Sequence, residues 1–200
     1  MKRLTSLYIV CLICTLSACK QKEVSDELTT DAFCQENAWF ESLAKSENEE
    51  QLVMELSGQF ISNTSLQAYV DHNDIIAFAI DEAVDFEKTP SGLFYKIIAP
   101  GKEEKLDWGN KIRAHYKGYF LDGKLFDSSC KRGQPMEFYI GNMIDGWNEG
   151  LQLIGDGGKI MLAIPSRLGY GKEGLSGNAQ ELVPPNKVLL FEIEVKGIVK

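Results

Sequence analysis

The sequence predicts an α+β fold, a twisted antiparallel β-sheet wrapped on one short α-helix and preceded by a short helical region. Three segments alternate apolar with polar residues, and a period of two is typical of strands with one buried face. Their apolar members are Ile112, Ala114, Tyr116, Gly118 and Phe120, then Ile160, Leu162 and Ile164, then Leu189, Phe191, Ile193 and Val195.

The predicted short helix lies between the first two strands. Trp147, Leu151 and Ile154 follow one another at i, i+4 and i+7, which places them on one helical face, and Asp145 could cap the first turn. One helix laid across a twisted antiparallel sheet creates a concave space beside Trp147.

Residues 1–18 have the pattern of a secretory signal peptide. Lys2 and Arg3 precede an apolar run over residues 7–16, and small residues lead to Cys19. The run is shorter than the roughly 20 residues that a transmembrane helix needs, so an uncleaved anchor helix is the weaker interpretation. The ending Leu-Ser-Ala-Cys resembles the bacterial lipobox, which implies cleavage before Cys19, its lipidation, and anchoring in the cell envelope at the outer membrane.

The charge distribution divides the remaining chain into two segments. Residues 20–88 contain sixteen acidic and four basic residues, whereas residues 89–200 contain thirteen and fifteen. The acidic half argues against nucleic acid as a partner. Because Thr89, Pro90 and Gly92 mark a break in the chain, we expect a lipidated tether with acidic helices over residues 19–88 and a separate domain over residues 89–200.

Helical periodicity recurs in the acidic half. The apolar faces are Phe33, Asn37, Phe40 and Ala44, then Leu52, Leu56 and Phe60, then Ile76, Ala79, Ile80 and Ala83, with Asp26 and Thr30 as candidate caps at the start. Residues 62–65 interrupt the pattern. Because isolated helices this short are marginal in water, they must pack on one another, on the C-terminal domain or on a second copy in a homodimer; a helical spacer is the plainer alternative.

Cysteine usage leaves the pairing of Cys34 and Cys130 open. Cys11 and Cys14 lie inside the apolar run that signal cleavage removes, so their spacing carries no redox meaning. A disulfide between Cys34 and Cys130 would have to join two different regions, and we therefore expect free thiols. In an oxidising envelope compartment the disulfide is the alternative.

The residue types over residues 114–147 favour an apolar pocket that contains one carboxylate. Asp127 is the one acid embedded among the aromatic and aliphatic residues expected to form the pocket walls, and metal-ligand spacing, a paired nucleophile and a phosphate cradle are absent from the sequence. His115 is expected on a solvated strand face and His72 at a helix end. We therefore expect no metal and no cofactor, and we expect the glycine-rich residues 169–177 to form a mobile flap.

The sequence resembles the FKBP-type peptidyl-prolyl cis-trans isomerases from about residue 91 to residue 200. The matching blocks, in the order of that family, are HYKGYFLDGKLFDSS, PMEFYIG, MIDGWNEGLQLIGDGGK, IPSRLGYG, VPPN and LLFEIEV. The resemblance implies an enzyme that acts on proline-containing polypeptides; a non-catalytic chaperone or peptide-binding module with the same groove is the alternative. The lead-in around Ser91 also resembles lipoprotein isomerases, including the gliding-motility-associated group of Bacteroidetes.

The resemblance also implies the roles of individual residues. Trp147 would form the pocket floor under the prolyl ring, the Ile144 N–H and the Tyr170 hydroxyl would hold substrate carbonyls, and Asp127 would act electrostatically. The remaining walls and flanking loop would be Tyr116, Phe126, Met136, Phe138, Met143, Leu182, Val183 and Phe191. Met136 departs from the family, which commonly has Phe at this position. The plainer alternatives are core packing for Trp147 and Phe138 and a turn role for Asp127.

Overall fold

A seven-stranded antiparallel sheet forms the centre of the computed structural model, which describes residues 31–35, 46, 48–177 and 180–199. The strands are β1 (Glu87–Lys88), β2 (Phe94–Ala99), β3 (Lys111–Tyr119), β4 (Leu125–Ser128), β5 (Met136–Tyr139), β6 (Lys159–Ile164) and β9 (Leu189–Ile198). Their order is β1-β2-β6-β9-β3-β4, and β5 also pairs with β3. A separate ribbon joins β7 (Leu175–Gly177) to β8 (Gln180–Val183), so part of the predicted flap is a hairpin.

Four described helices and three 3-10 turns accompany the sheet. They are α1 (Ala32–Gln35), α2 (Glu49–Ser57), α3 (Gln67–Asp81) and α4 (Asp145–Gly150), with 3-10 turns at Cys130–Arg132, Leu151–Leu153 and Ser166–Leu168. Among the described residues, no helix is long and apolar enough to cross a membrane. The predicted signal peptide, Cys19, the caps Asp26 and Thr30, and Asn37, Phe40 and Ala44 lie outside the described residues.

The concave face of the sheet packs on α4, as the alternation predicts. Trp147, Leu151 and Ile154 are all buried in one core with the inward residues of β3, β6 and β9. The prediction that they share one helical face was wrong, because α4 ends at Gly150, Leu151 opens a 3-10 turn and Ile154 is extended. A Cβ atom at Gly150 would lie 2.5 Å from Leu162 Cδ2, so glycine lets the helix approach β6 directly. The capping prediction was wrong: Asp145 is the first helical residue, and Ile144 occupies the N-cap without a side-chain hydrogen bond.

The helical region packs on the opposite, reverse face of the sheet. A second core joins α2 and α3 to the sheet: Leu52, Leu56, Ile75, Ile76, Phe78 and Ala79 contact Phe94, Tyr119, Met161, Ala163 and Leu190. Of the packing partners predicted for the short helices, the structure shows one another and the sheet. Phe60 follows the end of α2 and is exposed, and Ala83 follows α3, so these two residues are not on the predicted helical faces.

Because the reverse face is covered, the solvated position predicted for His115 was wrong, and so was the helix-end position predicted for His72. His72 lies inside α3, with its ring 5.5 Å from that of Phe94 and its Nε2 2.9 Å from the Gln59 carbonyl oxygen. His115 is buried, and its Nδ1 lies 2.9 Å from the Ser129 hydroxyl oxygen. Burial lowers the pKa of His115, although the nearby Asp31 carboxylate works in the opposite direction.

Residues 31–35, here called the N-terminal latch, close this face over β3. Phe33 is 2% exposed, and the Nζ atoms of Lys117 and Lys159 lie 4.6 and 5.3 Å from the centre of its ring. Asp31 forms an ion pair with Lys196 at 2.9 Å. The latch thus covers a charged part of the sheet with one aromatic ring and one carboxylate.

A disulfide between Cys34 and Cys130 fastens the latch, so the expectation of free thiols was wrong. The latch crosses the back of β3 and brings the two Cα atoms to 5.4 Å, although 96 residues separate them in sequence. Sequence distance therefore gave no measure of spatial distance here.

Candidate active site

A cavity of about 340 Å³ opens on the concave side of the sheet, between β3, β4, β5, β9 and α4. Its walls are largely aromatic and aliphatic, with one carboxylate. The lining residues are Tyr116, Phe126, Asp127, Met136, Asn142, Met143, Ile144, Trp147, Tyr170 and Phe191.

The floor of the cavity is the indole of Trp147, which is 2% exposed. Tyr116 and Phe191 meet it edge-on, each with a centroid distance of 5.1 Å, and Phe138 packs at 5.4 Å. Such edge-to-face contacts restrain the plane of the indole. Its buried Nε1 has no hydrogen-bond partner among the described residues.

Asp127, Tyr116 and Arg132 form a hydrogen-bonded network in one wall. The Tyr116 hydroxyl donates to Asp127 Oδ2 at 2.6 Å, and Arg132 Nη1 donates to Asp127 Oδ1 at 2.9 Å. Arg132 Nη2 also donates to the Tyr116 hydroxyl oxygen, and the guanidinium carbon lies 5.2 Å from the centre of the Tyr116 ring. The Ser128 N–H adds a further bond to Asp127 Oδ1. The carboxylate is therefore held in one orientation.

This network favours the charged form of Asp127 and the neutral form of Tyr116. Burial alone would raise the pKa of Asp127, but the hydrogen bonds from Tyr116, Arg132 and Ser128 hold it below the usual 3.8. Burial and the bond to Asp127 raise the pKa of Tyr116 to about 12. Burial, with the charge of Asp127, also raises the pKa of Tyr170. At neutral pH one carboxylate faces protonated phenols.

Residues 102–196 match the sequence pattern of the family described as FKBP-type peptidyl-prolyl cis-trans isomerase. The crystal structure of AtFKBP13 aligns with 57% of this chain and 99% of its own, at 38% identity and a TM-score of 0.54. This chain belongs to the FKBP-type peptidyl-prolyl cis-trans isomerase family.

Two curated relatives show the same similarity. The chain is 45% identical over 114 residues to the probable FKBP-type peptidyl-prolyl cis-trans isomerase of Haemophilus influenzae, covering 57% of this chain and 46% of that protein. It is 42% identical over 121 residues to FkpA of Escherichia coli K12, covering 60% of this chain and 42% of FkpA. The alignment thus spans less than half the length of each curated relative. The predicted α+β fold and the predicted family are confirmed.

Three predicted site residues lie outside the lining of the FKBP-type cavity. Phe138 is buried behind Trp147 and supports the floor. Val183 is 1% exposed and belongs to the main core, whereas Leu182 is 48% exposed. Successive residues of a strand point to opposite faces, so β8 can direct one of this pair inward and must direct the other outward.

Asn142 and Arg132 belong to the FKBP-type site but were missed by sequence reasoning. Asn142 lines the cavity from the loop before α4, and Arg132 ends the 3-10 turn that follows β4. A polar loop residue and one arginine among many basic residues carried no distinguishing pattern. The sequence shows the spacing from Asp127 to Arg132, but it does not reveal the 3-10 turn that brings the two side chains together.

Asn148 is a further residue that the sequence did not single out. Its Oδ1 accepts hydrogen bonds from the N–H groups of Gly141 (2.8 Å) and Met143 (3.2 Å), and its Nδ2 donates to the Met143 carbonyl (2.6 Å). This buried amide holds the loop that carries Met143 and Ile144 against the start of α4. Asn148 therefore positions the pocket wall without lining it.

The two predicted carbonyl-holding residues, Ile144 and Tyr170, both line the cavity. Ile144 is the N-cap of α4, and its carbonyl accepts hydrogen bonds from the N–H groups of Trp147 and Asn148. Within the described part of the chain, neither the Ile144 N–H nor the Tyr170 hydroxyl donates a hydrogen bond. Both donors are available to a bound peptide.

Proposed function

We propose that this protein is a peptidyl-prolyl cis-trans isomerase that rotates the bond before proline in polypeptide substrates by a non-covalent mechanism without a cofactor. The observation that carries the proposal is the oriented carboxylate of Asp127, held by Tyr116 and Arg132 at the edge of a pocket floored by Trp147. A pocket that held proline by apolar contact alone would have no use for such a charge.

The reaction explains why an apolar pocket suffices. The cis and trans forms of an X-Pro bond differ by about 0.5–1 kcal/mol, while amide resonance sets a barrier of about 18–20 kcal/mol. The planar resonant amide is more charge-separated than the twisted one, so transfer from water into an apolar cavity disfavours the planar state relative to the twisted state. Each 1.36 kcal/mol or so removed from the barrier gives a factor of ten in rate.

Each lining residue then has a task in this proposal. The prolyl ring lies on Trp147 between Phe126 and Phe191, which fixes one side of the rotating bond. The Ile144 N–H and the Tyr170 hydroxyl hold the flanking carbonyls, and Asp127 faces the carbonyl carbon as the bond twists. Preorganised charge in a pocket that excludes water is the usual largest contribution to catalysis.

A protease-coupled assay on a short Leu-Pro peptide tests the activity. Asp127→Ala should lower kcat/KM by at least about tenfold, which corresponds to roughly 1.4 kcal/mol, while peptide binding is retained. Asp122→Ala, at an exposed position of the β3–β4 turn, serves as the matched control. If the parent protein bound the peptide without accelerating its isomerisation, the non-catalytic binding module would be the correct interpretation.

We also propose that the protein acts on exported polypeptides in the bacterial envelope, anchored through a lipid on Cys19. The signal-like residues 1–18 and the Leu-Ser-Ala-Cys ending support this proposal. Metabolic labelling with a radioactive fatty acid tests it, because Cys19→Ala should abolish the label. Labelling that survived this substitution would contradict the anchor.

We further propose that residues 89–200 contain the complete pocket and that residues 19–88 add stability and self-association. Apolar side chains remain exposed around α2, with Met54 at 77% and Phe60 at 46%, and these support a homodimer contact. Sedimentation of the parent and of Met54→Glu would detect the dimer and its loss. A monomeric parent at micromolar concentration would contradict self-association, while leaving the pocket assignment unaffected.

A further inference from the structure

Three side chains with soft or borderline metal-ligand atoms meet on the reverse face of β3, outside the pocket. Cys34, His115 and Cys130 each offer one ligand atom, and these atoms all lie within 4.8 Å of one another. The imidazole is buried, whereas both cysteines are half-buried. The isomerase mechanism uses none of the three.

The spacing between the histidine and the first cysteine suits a shared ion. Cys34 Sγ lies 3.7 Å from His115 Nδ1. A tetrahedral zinc ion with Zn–S of about 2.3 Å and Zn–N of about 2.0–2.1 Å would hold the same two atoms about 3.6 Å apart. The separation of these two atoms therefore already matches that of two zinc ligands. The two sulfur atoms, joined as a disulfide, would have to separate to about 3.8 Å.

The second ring nitrogen of His115 already has the partner that metal-bound histidines favour. Its Nε2 lies 3.5 Å from Asp31 Oδ2, and Lys196 holds the same carboxylate at 2.9 Å. A carboxylate beside one nitrogen places the ring proton there and leaves the other nitrogen as a lone-pair donor. The Asp31 carboxylate therefore favours the tautomer that carries its proton on Nε2 and leaves the Nδ1 lone pair beside Cys34 Sγ.

Ser129 does not block this use of Nδ1. Its hydroxyl lies 2.9 Å from Nδ1, but it also lies 3.3 Å from the Tyr116 carbonyl oxygen and accepts from the Tyr116 N–H at 2.9 Å. When Nδ1 binds an ion, the hydroxyl proton can point to that carbonyl, so no buried polar group loses its partner.

We propose that Cys34, Cys130 and His115 form a redox-gated metal site, closed by the disulfide and opened by a dithiol reductant. In the opening step the reductant gives two electrons and two protons to the disulfide, yielding two thiols while it becomes a disulfide itself. One Zn²⁺ then displaces the two thiol protons and binds two thiolates and Nδ1, with water as the fourth ligand. Thiolate and imidazole ligands favour Zn²⁺ or Cu⁺ over Mg²⁺ and Ca²⁺.

Spectroscopy with Co²⁺ and competition for Zn²⁺ test the proposal in the full chain. Cys11, Cys14 and Cys19 are replaced by serine, so that Cys34 and Cys130 are the remaining thiols. The protein is reduced with a dithiol, desalted without oxygen and titrated with Co²⁺. We expect one equivalent of ion, with a thiolate-to-cobalt charge-transfer band, and Zn²⁺ should displace it. The oxidised protein should show no such band.

Substitutions distinguish a metal site that includes His115 from metal binding by the two thiols alone. His115→Gln should remove the tetrahedral cobalt spectrum, whereas His72→Gln, at the other histidine of the chain, should leave it unchanged. Asp31→Asn should weaken Zn²⁺ binding about 10–100-fold while keeping both thiols, as expected for a partner behind a ligand.

Two results would overturn the metal site. One is a reduced, folded protein that leaves Zn²⁺ with the competing chelator at every concentration. The other is a His115→Gln variant that binds Zn²⁺ as tightly as the parent, because the thiols would then act without the imidazole. Neither result would bear on the peptide assay, since the pocket lies on the opposite face of the sheet.

Discussion

Asp71 accepts hydrogen bonds from both the backbone N–H and the hydroxyl of Ser166, at 2.8 and 2.6 Å, across 95 residues of sequence. Asp71 belongs to α3, and Ser166 opens the 3-10 turn whose first carbonyl accepts from the Gly171 N–H at 2.8 Å. Tyr170 lies within that closed loop. The acidic helical region therefore helps to position a pocket residue without lining the pocket.

Replacing Asp71 tests this connection. Asp71→Ala should lower the free energy of unfolding by about 1–3 kcal/mol, because the buried Ser166 N–H would lose its acceptor. It should also raise KM, since the loop carrying Tyr170 loses its anchor. Urea unfolding and the peptide assay measure the two effects. Asp74→Ala, at an exposed position on the same helix, is the matched control; equal effects from both variants would contradict the anchoring role.

Gly118 leaves room for two pocket walls. A Cβ atom there would lie 2.6 Å from Phe191 Cε1 and 2.9 Å from Phe126 Cζ, so Gly118→Ala should displace at least one ring. We expect kcat/KM to fall about tenfold, and overpacking to cost about 1–3 kcal/mol of stability. Gly58→Ala is the control, because its Cβ atom would meet the Glu55 carbonyl oxygen at 3.4 Å. An unchanged peptide rate in Gly118→Ala would show that the rings are not held in place.

The acid limb of the pH–rate profile should report Asp127. Hydrogen bonds outweigh burial and hold its folded pKa below 3.8, so the carboxylate stays charged well into the acidic range. The stability that the charged carboxylate contributes to the folded protein is complete above the unfolded pKa of about 3.9. It is lost as the pH falls through the lower folded pKa. The peptide rate should therefore stay level down to about pH 5, and a loss of activity between pH 5 and 7 that Asp127→Asn removes would contradict this assignment.

Alkaline pH should destabilise the protein through two buried tyrosines. Burial, together with the bond to Asp127, raises the pKa of Tyr116 to about 12, and burial with the Glu192 charge does the same for Tyr119. Each buried phenol keeps its proton in the folded protein at pH values where it ionises in the unfolded chain. Its contribution to the free energy of unfolding is therefore complete below the unfolded pKa of about 10 and is lost as the pH rises towards 12. Urea unfolding at pH 9 and 11 measures the loss of stability, which should be smaller in Tyr119→Phe. If all tyrosines titrated together near pH 10, the raised pKa values of Tyr116 and Tyr119 would be contradicted.

Reduction of the Cys34–Cys130 disulfide should lower stability by about 2–4 kcal/mol, because the bond closes a loop of nearly 100 residues in the unfolded chain. Urea unfolding with and without reductant, in the presence of a metal chelator, measures the difference. The double variant Cys34→Ser with Cys130→Ser should unfold identically under both conditions. A parent protein insensitive to reductant would show that the latch does not contribute to global stability.

The main sheet and most of the pocket were predictable because they depend on local patterns. The alternation in β3, β6 and β9 identified the inward residues, and the spacing of Trp147, Leu151 and Ile154 located the short helix, although only Trp147 lies within it. Asp127 stood out because a single carboxylate among aromatic residues is unusual. Such patterns persist in the fold since strand and helix periods set which side chains share a face.

Contacts between distant segments depended on the tertiary structure alone. The pairing of Cys34 with Cys130, the burial of His115 and the bond from Asp71 to Ser166 all arise because the helical region covers the reverse face of the sheet. Alternation along a strand describes its two faces but does not reveal that a second layer will bury both. The sequence thus determined which residues could line a pocket, and the packing of two distant segments decided which of them are held in place.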